Sequence, residues 1–264
     1  MDELHAYYTQ VDEHEFDSTP ATASPWDESL QHGGPPAALL AREIERTPSG
    51  APGMGIARIT VDMLGGIPQG RMRTASRVVR PGRRVELVEA TLTVGDRVAV
   101  SATAWRIATS PDATREQATP AGELPPLPEE QPQEFFPGTS PEWGYGRSID
   151  WRFVEGGYAA PGPAALWSRV RIPLVAGEET SPVSRLLVVA DSANGLSGEL
   201  PLAEWLFIPP TLSVTVLREP AEEWLFFDAR STIGPHGRGL AQATLADRQG
   251  LVATVAQPLL VAPR

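Results

Sequence analysis

Cysteine is absent from this chain, which removes thiolate nucleophiles, cysteine-ligated metal sites and disulfides together. Lysine is absent too. All 22 basic residues are arginine, so neither a Schiff-base lysine nor a phosphate-loop lysine is available. Histidine is sparse, and His5, His14, His32 and His236 show no i, i+4 pairing and no carboxylate constellation of metal-site type. No metal and no cofactor is expected. Positive charge is outnumbered, with a net charge of -11, which argues against nucleic acid and anionic membranes as general partners. There is no G-x-S-x-G elbow and no G-x-G-x-x-G after a strand, so a serine-hydrolase or dinucleotide-binding reading has no support. Apolar runs fall far short of a membrane span, and the opening MDELHAYYTQVDEHEF is acidic without an apolar core; the expected compartment is the cytoplasm.

What the chain has is 41% hydrophobic residues over 264 positions, enough for one large domain or two similar smaller ones. The stretch Pro182 to Gly198, PVSRLLVVADSANGLSG, predicts a helix with little polar face, and such a helix belongs inside the protein. Asp191 sits in its middle. A buried carboxyl is tolerated only when it is paired, hydrogen-bonded or used chemically, and the structural alternative is an aspartate tied to Asn194, Ser192 or a nearby arginine. A second helix is expected after Gln31-His32-Gly33-Gly34-Pro35-Pro36, where the prolines occupy first-turn positions and Ala37 to Glu45 continue it.

Strands are expected at 56–63, 71–79, 85–94 and 98–107, connected as an antiparallel meander through Pro81-Gly82 and Gly95-Asp96. Residues 109–147 are proline-rich and acidic, unsuited to a helix or a central strand, and read as a surface connection pinned by Phe135, Phe136 and Trp143. Beyond them, strand patterns recur at 149–154, 165–172, 212–217, 224–232, 239–247 and 251–261. ELVEATLTVGDRVAVSATAW at 86–105 aligns without a gap on GLAQATLADRQGLVATVAQP at 239–258. That is an internal duplication, helix then four strands in each half, with boundaries at 1–108, 109–147 and 148–264.

Leu30 to Glu45 (LQHGGPPAALLAREIE), Ala190 to Ser197 (ADSANGLS), Trp205 to Pro220 and Gly234 to Val261 resemble the tandem, double-hotdog acyl-CoA thioesterases of type II. The resemblance implies an α+β fold in which two central helices are each wrapped by an antiparallel sheet, the sheets pairing into one continuous sheet. It also implies a catalytic aspartate at Asp191, a glutamine at Gln257 and a hydroxyl near the start of the strand after the second helix. That hydroxyl position falls on Pro209, and Thr211, two residues on, is the nearest substitute, with Ser213 beyond it. The implied partner is an acyl-CoA or acyl-carrier thioester, the implied role a hydrolase of bacterial lipid metabolism. Homo-oligomerisation stays open, since the duplicated chain meets internally the pairing that single-hotdog proteins achieve by dimerising.

Thioester hydrolysis needs a base for water, a group to aim it and donors for the developing oxyanion. A carboxyl desolvated at Asp191 is pushed toward a useful base range, and Gln257 has both a donor and an acceptor. Pro258, after it, suggests an edge or a bulge. His32, Gly33 and Gly34 are expected to bind substrate, with a glycine N–H at a helix start serving the oxyanion. Only the second helix bears an Asp in this setting, so one site per chain is expected. Two rivals remain at this stage, a non-catalytic acyl-CoA or acyl-carrier binding protein and a hotdog dehydratase using His32 as base. Arg80, Arg83 and Arg84 are a small basic patch that either grips coenzyme A phosphates or simply solvates a turn.

Overall fold

The computed structural model describes residues 4–109, 123–137 and 139–264. Pro111 and Pro120 of the proline-rich stretch lie outside the described residues. The apolar run after His32 forms α1, Gly34–Arg46, and every residue from Gly34 to Ile44 is buried. Pro35 and Pro36 sit in its first turn, where a backbone donor is not required. The second helix, α3, spans Pro182–Ala190; Ser181 caps it by accepting from the Ser184 N–H at 3.1 Å. It is shorter than the sequence suggests. The chain leaves the helix at Asp191 and Ser192 and resumes in one turn, α4, Ala193–Leu196, so Asp191 is the residue closing α3.

Among the described residues, thirteen strands surround these helices in one sheet, and every strand is paired to its neighbour antiparallel. They are β1 Tyr8–Asp12, β2 Glu15–Ser18, β3 Met54–Met63, β4 Arg71–Arg80, β5 Val85–Val94, β6 Arg97–Ala108, β7 Ile149–Gly157, β8 Ala160–Val170, β9 Trp205–Ile208, β10 Thr211–Val216, β11 Leu225–Ile233, β12 Arg238–Asp247 and β13 Gly250–Pro263. Their spatial order is β1-β2-β4-β5-β6-β3-β10-β13-β12-β11-β8-β7, with β9 added on β13. The expected meander is therefore corrected: β3 lies beside β6, not β4. That placement keeps Ile56, Ile59 and Val61 buried and frees the other edge of β3 to pair with β10, from Thr211↔Asp62 to Thr215↔Arg58. β10 likewise pairs with β13. The register repeats as well, since Ala90 faces Ala102 in the first half and Ala243 faces Val255 in the second, each 153 residues further on.

Within the proline-rich stretch, residues 131–133 run along β7, the last strand of the sheet. The Gln131 carboxamide accepts from the Phe153 N–H at 2.8 Å and donates to its carbonyl at 2.9 Å; Gln133 makes the same pair of bonds with Trp151 at 3.3 and 3.2 Å. Two side-chain amides thus stand where a neighbouring strand would pair, which closes an otherwise open sheet edge. The stretch ends in a single helical turn, α2, Gly144–Arg147, which the sequence reading excluded. Gly144 permits it: a Cβ there would sit 2.0 Å from the Pro20 carbonyl oxygen.

The C-terminus of α1 is closed by Arg106 on β6. Its guanidinium donates to the carbonyls of Ile44 and Thr47 at 2.9 and 2.8 Å, and it forms an ion pair with Glu86 of β5 at 2.6 Å, both side chains at most 3% exposed. No helix among the described residues is long and apolar enough to cross a membrane.

Candidate active site

Where α3 breaks, its end meets the start of α1. Gly33 and Gly34 allow the approach: a Cβ on Gly34 would lie 2.1 Å from the Val188 carbonyl oxygen, and one on Gly33 would lie 2.6 Å from Asp191 Oδ2. The break turns the Asp191 side chain toward β13, where strand parity points Gln257 inward with Val255 and Leu259. Gln257 Nε2 donates to Asp191 Oδ1 at 2.8 Å and its Oε1 accepts from the Asn194 N–H at 3.2 Å. Asn194 is held in turn, donating from Nδ2 to the Phe207 carbonyl of β9 at 3.0 Å. The two residues that the resemblance implied as a pair are thus in direct contact.

Asp191 is 5% exposed, and burial pushes its carboxyl up to about 7 against the opposing hydrogen bonds from Gln257 and the Gly33 N–H. His32 lies 3.5 Å from Asp191 Oδ2 through Nδ1, and burial pulls its imidazole down to about 3. The same Nδ1 accepts from the Gly34 N–H at 3.1 Å, so the neutral ring carries its proton on Nε2. His32 is therefore a donor. A dehydratase base at this position needs the opposite tautomer.

Two expectations are corrected by this geometry. Gly33 and Gly34 surround the site, yet their N–H groups are spent on Asp191 and His32. Thr211 is not brought to the group: its hydroxyl donates to the Val61 carbonyl at 3.1 Å, and alternation along β10 turns it away from the face where Leu212 and Val214 are buried. Pro209 is buried, and Ser213, on the same face as Thr211, lies 3.5 Å from the Thr60 hydroxyl across the β3–β10 junction. Pro258 marks a local edge and no bulge: it falls between Ala256, opposite β10, and Leu260, opposite β9, where that side of β13 has no partner. Arg80 of the basic turn donates to the Val85 carbonyl at 3.0 Å and lies over the Trp105 ring, which fits the solvated-turn reading.

Tyr145 was missed entirely. It stacks on His32 at a centroid distance of 3.8 Å, donates to the Val188 carbonyl at 2.8 Å and shares a hydrogen bond with Ser192 at 2.7 Å. One ring thereby fixes both the histidine plane and the end of α3. His32, Ser192 and Asn194 border a cavity of about 20 Å³, roughly the room for one water molecule.

Residues 22–107 match the family model of the acyl-CoA thioesterase N-terminal domain, and residues 121–261 that of the acyl-CoA thioesterase C-terminal domain. A conserved protein of unknown function with hot dog fold from Alicyclobacillus acidocaldarius is 16% identical, with 97% of this chain and 96% of that one covered and a TM-score of 0.74. The acyl-CoA thioesterase II TesB2 from Mycobacterium marinum is 18% identical over 97% and 96% of the two chains, with a TM-score of 0.67. The tesB protein of Mycobacterium avium subs paratuberculosis is 17% identical over the same shares, also at 0.67. These likenesses show the hotdog fold. No curated protein matches the chain.

Proposed function

The chain belongs to the acyl-CoA thioesterase family and is a thioester hydrolase, and from that premise we propose that Asp191 and Gln257 activate the water that cleaves an acyl-CoA. The Asp191 carboxylate takes a proton from water as the oxygen attacks the thioester carbonyl carbon. The His32 Nε2–H stabilises the oxyanion. Collapse breaks the carbon–sulfur bond, and the proton held on Asp191 passes to the departing thiolate, releasing a carboxylic acid and coenzyme A thiol. Gln257 holds the carboxyl in place and leaves part of its Oε1 free for water. A tandem hotdog, with units at 1–108 and 148–264 joined by 109–147, is the arrangement we assign, and the mirrored strand order about the β3–β10 junction supports it.

The observation that carries this reading is the buried Asp191–Gln257 contact, whose neighbours His32 and Asn194 border a water-sized cavity. The test is free-thiol release from a panel of acyl-CoAs. The wild type is expected to turn over, and Gln257→Leu to lose at least about 100-fold in kcat/KM with its fold intact. No release from any acyl-CoA, or a variant within a few-fold of wild type, overturns the assignment.

A further inference from the structure

Trp167, Phe226 and Ala246 form a row across β8, β11 and β12, each at most 8% exposed and separate from the main core. Phe227, the next residue along β11, points the other way into that core, so the row lies on the outer face of the sheet. The first half of the chain has no such row. The residues 153 positions before Phe226 and Ala246 are Arg73 and Thr93, paired in the same way, with Glu15 beside Arg73. What covers the row is a piece of the proline-rich stretch, through Leu124 and Leu127, with Trp224 alongside.

The covering segment repeats every three residues. Glu123, Pro126 and Glu129 are exposed, while Leu124, Pro125, Leu127 and Pro128 are half-buried. Three residues per turn is the period of a left-handed proline helix. Its two inward prolines present their carbonyls: Trp167 Nε1 donates to that of Pro125 at 3.1 Å, and Arg152 Nη1 donates to that of Pro128 at 2.8 Å. Two donors one proline-helix turn apart on an aromatic floor are the contacts by which proline-rich peptides are read. Charge is complementary as well. Glu129 and Glu130 follow Pro128, and the guanidinium groups of Arg152 and Arg169 stand 4.7 and 5.0 Å from the Trp224 ring. We propose that the outer face of β8 and β11 is a recognition groove for proline helices, that residues 124–128 occupy it in cis, and that it takes in trans a peptide of the pattern Leu-Pro-x-Leu-Pro followed by acidic residues.

The groove is independent of the chemistry at Asp191, and its test needs no turnover. Leu124→Ser with Leu127→Ser frees the groove and leaves its floor intact. The full-length variant and the wild type are titrated by calorimetry with the peptide ELPPLPEEQ, the sequence of 123–131. A tethered segment competes at an effective concentration of about 1 mM, so the freed variant is expected to bind at least about tenfold more tightly than the wild type. Should it fail to fold, Pro125→Gly with Pro128→Gly loosens the segment by removing its two fixed φ angles and is expected to act the same way. A peptide with alanine at the two inward prolines is expected to lose most of its affinity, and lysines at the two adjacent glutamates to weaken it about threefold. Trp167→Phe in the freed variant keeps a ring and removes the donor, for an expected loss of about threefold to tenfold. Binding that tracks the prolines and is stronger in the freed variant supports the groove. No binding to a folded freed variant, equal affinity for the alanine peptide, or equal affinity of wild type and freed variant overturns it.

Discussion

Asp191→Asn changes one oxygen for one amide group, yet the structure predicts a large and pH-dependent effect on stability. In the folded chain the Asp191 carboxyl is raised from 3.8 to about 7. Between those values the unfolded chain has released its proton while the folded chain keeps it, so the native state binds more protons and wild-type stability falls as pH rises. At 1.36 kcal/mol per pH unit the loss comes to about 4 kcal/mol, complete above about pH 7 and absent below about pH 4. Asparagine cannot ionise, so the variant lacks this loss. Its amide meets the Gly33 N–H, donor against donor, which adds a constant penalty of about 1–3 kcal/mol independent of pH. The His32 contribution is common to both chains and cancels. Urea unfolding followed by tryptophan fluorescence, from about pH 4 to pH 8, gives the difference between variant and wild type directly. The account predicts that the difference shifts in favour of the variant by about 4 kcal/mol across that range. A difference that stays flat refutes the claim that Asp191 is protonated in the fold below neutrality.

The same carboxyl must be ionised to act as base, so kcat/KM on an acyl-CoA is expected to rise with pH and reach half its plateau near 7, where the Asp191 carboxyl is held; a stopped pH series from acid to mild alkali checks it, and a flat profile contradicts it. Arg106→Met strips the buried Glu86 of its counter-ion and the end of α1 of two donors, and urea unfolding should show a loss of about 3–5 kcal/mol, much of it recovered when Glu86→Leu is added. Tyr145→Phe keeps the stack on His32 but leaves the Val188 carbonyl and Ser192 without their partner, for an expected loss of about 1–3 kcal/mol in the same assay.

Much of the fold is legible in the letters because its signals are local. Pro35-Pro36 before the five apolar residues Ala37 to Ala41 marks α1, and the ungapped match of 86–105 on 239–258 locates β5–β6 and β12–β13 with their register. Asp191 was legible as a carboxyl on an apolar helix, but its pairing with Gln257 came only through the resemblance of ADSANG and TVAQPLL to the double-hotdog thioesterases. The strand order was not legible, because alternation says which face a residue takes and nothing about which neighbour its strand chooses. Thr211 fails on parity: counting along FIPPTLSV does not reveal that β10 begins at Thr211 with that residue facing outward. The helix break at Asp191 and Ser192 has neither glycine nor proline to announce it. Tyr145 sits in a segment whose prolines deny regular structure, and only the tertiary return of that segment beneath His32 gives it a role. No local signal was available for it.

The central claim is that Asp191 activates the water that cleaves a thioester. It is tested most directly by following thiol release under single-turnover conditions with excess enzyme, comparing wild type with Asp191→Asn after circular dichroism has matched their folds. The account predicts a fall of about 10²–10⁴-fold in the cleavage rate, with S-octyl-CoA thioether binding retained. A variant that cleaves within tenfold of wild type contradicts it.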